Sequence, residues 1–175
     1  KVADFDYFLP EELIAQHPVE PRDSSRLMVL HKDSGIVEHK IFRDVVEYLT
    51  PGDVLVVNNT KVLPARVFAV KESGGKIEVV LLKQLANNRW EVLVRPGKRV
   101  KTGTKLIFSP GELEAEVSER TEAGGRILEF KYQGNFFEIL DRIGHMPLPP
   151  YIREELADGS RYQTVYARKR GSAAA

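Results

Sequence analysis

The chain has 175 residues, 42% apolar and 29% charged, with a formal net charge of +1. That is the composition of an ordinary globular protein, and the absence of cysteine excludes disulfide staples and thiolate metal sites. No apolar stretch approaches the roughly 20 residues of a membrane helix, and Lys1–Asp4 does not open a signal peptide, so a cytoplasmic protein is expected.

In chain order, Pro10 to Ala15 predicts a short helix, with proline in its first turn and Glu11 and Glu12 near the positive end of the dipole. His17-Pro18 stops it, since proline lacks the amide needed to continue. Leu27 to Leu30 reads as an apolar strand, Asp33-Ser34-Gly35 as a turn, and Ile36 to Lys40 as the returning strand. Phe42, Val45, Val46 and Leu49 fall at helical spacing and end at Pro51-Gly52-Asp53. Val54 to Val57 is a continuous apolar run, as in a strand buried on both faces.

Beyond Lys61 the pattern becomes one of short strands: Ala65 to Lys71, Lys76 to Lys83, Arg89 to Val94, Lys105 to Phe108, Leu113 to Ser118 and Arg126 to Tyr132. Gly74-Gly75, Asn87-Asn88, Pro96-Gly97, Pro110-Gly111 and Gly124-Gly125 separate them. Such spacing predicts a small antiparallel barrel, which leaves no exposed strand edge. Phe136, Phe137, Leu140 and Ile143 form a helical stripe ended by Gly144 as a C-terminal cap. The predicted fold is multi-domain α+β: a mixed α/β domain begins in residues 1–62, is interrupted by an antiparallel β-barrel at 63–131, and resumes, incomplete, at 132–175.

Charge is segregated along the chain. Arg95, Lys98, Arg99, Lys101 and Lys105 occur with no acid among them; Glu112, Glu114, Glu116, Glu119 and Glu122 follow, relieved only by Arg120. Arg168-Lys169-Arg170 forms a second basic cluster. Such a block is either a solvated face or a patch for RNA phosphates, and Arg95, Lys98, Arg99 and Lys101 are the candidates for the second role.

Several polar groups sit on stiff backbone, where function tends to concentrate. Asn58-Asn59-Thr60-Lys61 follows the apolar run; its amides suit a ribose hydroxyl or a base edge, and the alternative is an asparagine-rich turn. Arg66 is either an exposed strand residue or a clamp for a carboxylate or phosphate. His145, between Gly144 and a proline-rich loop, is the best-mounted general acid/base or else a hinge residue. His17 is expected to order the Arg22-Asp23 turn, and His31 and His39 to be structural. Tyr151 offers a stacking face. Arg161-Tyr162-Gln163-Thr164 is either a substrate-contacting stretch or an amphipathic helix with Tyr162 and Tyr166 on one face. No histidine pair has metal-ligand spacing, so no metal is expected, and no G-x-G-x-x-G cradle is present.

The runs Val56 to Arg66, Gly144 to Ile152 and Arg161 to Ala167, with Ile14-Ala15-Gln16-His17-Pro18 and Pro21 to Leu27, resemble the S-adenosylmethionine:tRNA ribosyltransferase-isomerase family, which acts late in queuosine synthesis. The resemblance runs from end to end and implies an α/β domain interrupted by a barrel. It also implies that this chain is the N-terminal part of a longer protein, Gly171 to Ala175 running on into a further region. S-adenosylmethionine would be a consumed substrate with no other cofactor, and the partner a tRNA carrying 7-aminomethyl-7-deazaguanine at its wobble position. The expected products are epoxyqueuosine, adenine and methionine, made by a monomer away from any membrane. Tyr162, Gln163, Thr164 and Arg66 match family positions; His145 would move a proton, and Arg66 or Lys61 would hold the methionine carboxylate. Asn59, His145 and Gln163 are expected to converge on one crevice. The alternative is a non-catalytic RNA- or protein-binding barrel module.

Overall fold

The computed structural model describes residues 1–154 and 156–172; residues 173–175, part of the stretch expected to run on into a further region, lie outside them. The chain divides into two compact units, one of Lys1–Val57 with Pro149–Ala157 and one of Asn58–Leu148 with Asp158–Ala175.

The first unit is built on an antiparallel hairpin of β1 (Arg26–Leu30) and β2 (Val37–Ile41), with Arg26 opposite Ile41 and Leu30 opposite Val37. Gly35 turns it at φ 70°, a conformation that glycine adopts without steric cost. His31 Nε2 lies 2.5 Å from Glu38 Oε1 across the hairpin, and this hydrogen bond holds the Glu38 carboxyl below its ordinary range. The remaining regular structure is 3₁₀: Val2–Phe5, Glu11–Leu13, Arg22–Ser24 and Phe42–Tyr48. The helix expected from Pro10 to Ala15 therefore shrinks to a single turn, because short helices persist only where a face is packed. His17 does not order the Arg22-Asp23 turn; its Nε2 lies 2.6 Å from Glu154 Oε2, and Ser24 Oγ closes that turn on Pro21 O at 2.6 Å.

The strand expected at Val54 to Val57 is absent, and the run is open: Val54 is 87% exposed and Val56 89%. A strand buried on both faces needs a hydrogen-bonded neighbour and a packed layer on each side. The described residues of this unit supply neither, and none of them is buried.

The second unit carries the core. Here β4 (Arg66–Lys71), β5 (Lys76–Ala86), β6 (Arg89–Arg95), β7 (Lys105–Ser109), β8 (Leu113–Arg120) and β9 (Arg126–Tyr132) close into an antiparallel barrel in the order β4-β5-β6-β9-β8-β7. The expected strands are all present, and β7 pairs back on β4 through Val70–Ile107 and Lys71–Leu106. Strand alternation turns Val67, Val79, Leu81, Val92, Leu113, Val117, Leu128 and Phe130 inward, all fully or nearly fully buried. Each of these side chains contributes about 1.5–3 kcal/mol on burial.

Helix α1 (Phe136–Ile143) packs Phe136, Ile139 and Leu140 into that core, with Phe136 5.1 Å from Phe130 and 5.6 Å from Trp90, centroid to centroid. Asn135 starts it by accepting the Phe137 amide on its side chain at 2.9 Å. Gly144 ends it, but not as a left-handed cap: its backbone is extended, at φ −88° and ψ 157°. The glycine is required by space. A Cβ there would stand 2.6 Å from Leu140 O and closer still to Pro64 O. Two short strands, β3 (Thr60–Val62) and β10 (Lys169–Gly171), pair in parallel beside the barrel.

Candidate functional site

The segment from Asn58 to Arg66 holds Asn58, Asn59, Thr60, Lys61 and Arg66, and Gln163, Thr164 and His145 hydrogen-bond to it, all within the second unit. Asn58 Oδ1 accepts the Thr60 amide at 2.8 Å, forming the asparagine turn that the sequence allowed. The Asn59 carbonyl accepts from the amides of Arg168 and Lys169 at 2.8 and 3.0 Å, which starts the β3–β10 pair. Thr164 Oγ1 donates to Asn58 O at 2.8 Å.

Gln163 uses both ends of its amide on one residue. Its Oε1 accepts from Val62 N and its Nε2 donates to Val62 O, each at 2.8 Å. The side chain thereby substitutes for a neighbouring strand and satisfies two backbone groups of a residue only 4% exposed. The helix that would place Tyr162 and Tyr166 on one face does not form. Residues Gly159–Tyr162 make a 3₁₀ turn that stops there, so Arg161 and Tyr162 lie in it and Tyr166 lies outside.

Arg66 and His145 are joined directly. His145 N donates to Arg66 O at 2.8 Å and Arg66 N to His145 O at 3.1 Å, an isolated antiparallel bridge. The Arg66 Nε lies 3.1 Å from Glu78 Oε1 but is not aligned as a hydrogen bond; its Nη2 donates to Leu148 O at 3.2 Å. Glu78 stands one diagonal step away on β5, the cross-strand position where opposite charges meet. The His145 ring packs edge-on against Phe68, centroids 5.5 Å apart, and is exposed, with no hydrogen bond to its nitrogens among the described residues. Lys61 is likewise exposed and makes no ion pair among them. An imidazole and an ammonium thus stay available to solvent, while Asn58, Gln163 and Thr164 are engaged by backbone.

Tyr151 lies in the first unit. There Gln16 repeats the device of Gln163: its Nε2 donates to Tyr151 O at 3.0 Å and its Oε1 accepts the Arg153 amide at 2.8 Å. Glu11, Ile14, Gln16, Tyr151, Arg153 and Glu154 line a hollow of about 340 Å³. Gln16 was not anticipated, although it lies within one of the matched runs.

Of the basic candidates, Arg95 ends β6, Lys98 and Arg99 sit in the turn Gly97–Arg99, and Lys101 follows it. A cleft of about 640 Å³ opens beside them, lined in part by Lys98, Lys101, Arg120 and Arg126. Arg126 was missed, though its signal is legible: it occupies the inward phase of β9, two residues before Leu128. Among the described residues no three histidine or carboxylate side chains gather as a metal site, and no helix is long and apolar enough to cross a membrane.

Residues 2–175 match the family described as "Queuosine biosynthesis protein". The chain is 56% identical over 175 residues to a protein of Carboxydothermus hydrogenoformans named S-adenosylmethionine:tRNA ribosyltransferase-isomerase, covering 100% of this chain and 52% of that protein. It is 58% identical over 176 residues to a protein of the same name from Thermoanaerobacter sp. strain X514, with the same coverage. A solved S-adenosylmethionine tRNA ribosyltransferase from Thermotoga maritima is 54% identical, over 73% of this chain and 44% of that one, with a TM-score of 0.37. That likeness is one of sequence. The chain spans about half the length of the curated relatives it matches.

Proposed function

The chain belongs to the queuosine biosynthesis protein family, and from that premise we propose that the whole protein is an S-adenosylmethionine:tRNA ribosyltransferase-isomerase. It moves the ribosyl portion of S-adenosylmethionine onto 7-aminomethyl-7-deazaguanine at the tRNA wobble position and releases adenine and methionine. The carrying observation is identity of 56–58% across the full chain with relatives of that name. The protein acts as a monomer in the cytoplasm, and S-adenosylmethionine is its substrate, with no other cofactor.

The chemistry follows from the sulfonium. Its positive charge acidifies the C5′ hydrogens, so a positioned base removes one to leave an ylide. The ylide electrons form a C4′=C5′ bond and expel the ring oxygen from C4′, whose electrons make the C1′ carbonyl as adenine departs with the electrons of its glycosidic bond and takes up a proton. The neutral aminomethyl nitrogen of the tRNA base adds to C4′ and loses a proton, the regenerated C5′ carbanion closes on the C1′ carbonyl, and the alkoxide so formed displaces methionine from C5′ to give the epoxide. His145 takes part in one proton transfer; its exposed imidazole on a bridged backbone supports that role. Lys61, or Arg66 through the donors that Glu78 leaves open, holds the methionine carboxylate. Asn59 contacts the substrate by its side-chain amide. Asn58, Thr60, Gln163 and Thr164 shape the segment that presents these groups; Arg161 and Tyr162 are further substrate contacts, and Tyr151, in the first unit, is a stacking face for a base. The base lies in the anticodon loop, where bases are unstacked for recognition.

Incubating the whole protein with adenine-labelled S-adenosylmethionine and tRNA with or without the precursor base tests the reading. Adenine release that requires the precursor base is expected. Tight tRNA binding without release would favour a non-catalytic RNA-binding module, the reading that an unpaired basic cleft would otherwise support.

A further inference from the structure

The cleft beside the Gly97–Arg99 turn differs from the rest of the barrel in its electrostatics. Several barrel cations stand beside carboxylates: Arg89 with Glu119 and Glu129, Arg142 with Glu112, Lys105 with Glu72, Arg66 with Glu78. In the cleft, Lys98, Lys101, Arg120 and Arg126 converge with no carboxylate in the lining. Lys98, Lys101 and Arg120 are exposed and make no ion pair among the described residues.

Arg126, 6% exposed, forms the floor. Its Nε donates to Val100 O, its Nη1 to Gly124 O and Gly125 O, and its Nη2 to Gly97 O, each at 2.8 Å. It therefore fastens the Gly97–Val100 limb to the β8–β9 turn. Its partners are neutral carbonyls, so its charge is left uncompensated. Burial, and after it the like charge of neighbouring Arg120, lower its pKa from the ordinary arginine value. An arriving anion offsets that like charge.

The lining contains no aromatic ring and no side-chain amide. With neither of those groups, and with every charged side chain in the lining a cation, the cleft suits first the sugar–phosphate chain, whose contacts position without specifying sequence. Its volume is that of a small-ligand site, but its open wall, whose charged groups are all cations, fits a polyanion passing through. Arg95 and Arg99 do not line it. We infer that this cleft is a phosphodiester grip for the tRNA backbone, with Lys98, Lys101 and Arg120 as its contacting cations, held open by the Arg126 fastening. This rests on the tRNA reading above and adds to it a docking face and a residue, Arg120, from a separate hairpin.

The test is a salt titration of binding to a fluorescein-labelled anticodon stem-loop RNA by the whole protein, its Lys98→Ala/Lys101→Ala/Arg120→Ala variant, and a control Lys76→Ala/Lys83→Ala variant of exposed barrel lysines outside the cleft. The altered side chains are exposed, so unchanged melting curves are the folding control. Each phosphate contact contributes about 0.7–0.9 to the slope of log affinity against log salt. The triple variant is expected to lose about 2 of that slope and to bind at least about tenfold more weakly near 50 mM salt. The double variant is expected to track the unaltered protein.

Equal losses in both variants would overturn the grip in favour of diffuse attraction, and an unchanged triple variant would overturn it outright. Displacement of the RNA by polyglutamate, or by inorganic phosphate beyond a chloride control of equal ionic strength, would also overturn it, the first indicating an acidic protein partner and the second a small-anion site. Adenine release that survives alongside an unchanged triple variant defeats the grip alone; loss of both RNA binding and adenine release in the unaltered protein defeats the enzymatic reading with it.

Discussion

Replacing Gly144 by alanine adds a single methyl group at the point where α1, Pro64 and the Arg66–His145 bridge meet. The added carbon would lie 2.6 Å from Leu140 O and nearer still to Pro64 O, and both obstacles are backbone, which cannot swing aside as a long side chain would. Relief requires the Gly144-His145 backbone to retreat from β4. That motion strains the His145 N–Arg66 O bond of 2.8 Å and the Arg66 N–His145 O bond of 3.1 Å. Overpacking of this kind costs about 1–3 kcal/mol, and weakening two hydrogen bonds adds about 0.5–1.5 kcal/mol each. Alanine at an extended φ returns about 0.4–1 kcal/mol by restricting the unfolded chain. The net expectation is a loss of about 2–4 kcal/mol, hence a Tm lower by roughly 5–15 °C for a chain of this size. Differential scanning calorimetry measures it directly. A Gly144→Ala protein melting within a degree or two of the original would show that the glycine is a convenience of helix termination and that the close approach to Pro64 is not enforced.

Other predictions address single contacts. Gln163→Ala should destabilise the second unit by about 2–4 kcal/mol, because it strands both backbone groups of buried Val62; urea denaturation with an unchanged midpoint would remove Gln163 as a clamp. Arg126→Met should cost about 3–5 kcal/mol, since four carbonyls lose a charged donor, read by the same method. Arg142→Ala should let the Glu112 carboxyl climb back toward its ordinary 4.5, since the Arg142 hydrogen bond is the largest influence lowering it. That lowered pKa means the pair contributes fully above pH 4.5 and fades as pH falls through the folded-state value; a carboxyl-carbon NMR titration unchanged by the substitution would contradict it. His145→Ala in the whole protein should reduce turnover far more than S-adenosylmethionine affinity, and equal turnover would end its catalytic assignment.

The barrel was legible in the sequence because its two signals are local. Alternation of apolar residues marks each strand, and glycine or asparagine pairs mark the turns, so β4 to β9 emerge with ends correct to within three residues. Arg126 also belongs to this pattern, as a charge in the apolar phase of β9. Val54 to Val57 misled because an apolar run reports what a segment requires, and its requirement is unmet among the described residues. Gly144 was recognised as a stop, but its cause lies in Pro64, distant in sequence and invisible to local rules. The two glutamine clamps were illegible for the same reason. Gln16 and Gln163 read as ordinary polar residues until the strands they grip are known, and no periodicity connects Gln163 to Val62.

Those clamps alter how the polar runs should be understood. A matched polar residue is easily taken as a substrate contact, yet Asn58, Gln163 and Thr164 use their side chains to hold main chain between Asn58 and Val62. A segment entering a barrel beside a parallel two-stranded ribbon has few neighbours to satisfy its amides, and side-chain amides supply that need without fixing a full strand. The consequence is a division of labour between the Asn58–Arg66 segment and the residues that bond to it. The inward groups immobilise the segment, and Asn59, Lys61 and His145, bridged through Arg66, stay exposed on the backbone so immobilised. Reactive groups on fixed backbone lose little further freedom when they engage a ligand, which is the condition for efficient positioning. On this reasoning, loss of Gln163 should impair activity through geometry, and Gln163→Glu should restore little of it, because a carboxylate can accept the Val62 amide but has no proton to give the Val62 carbonyl.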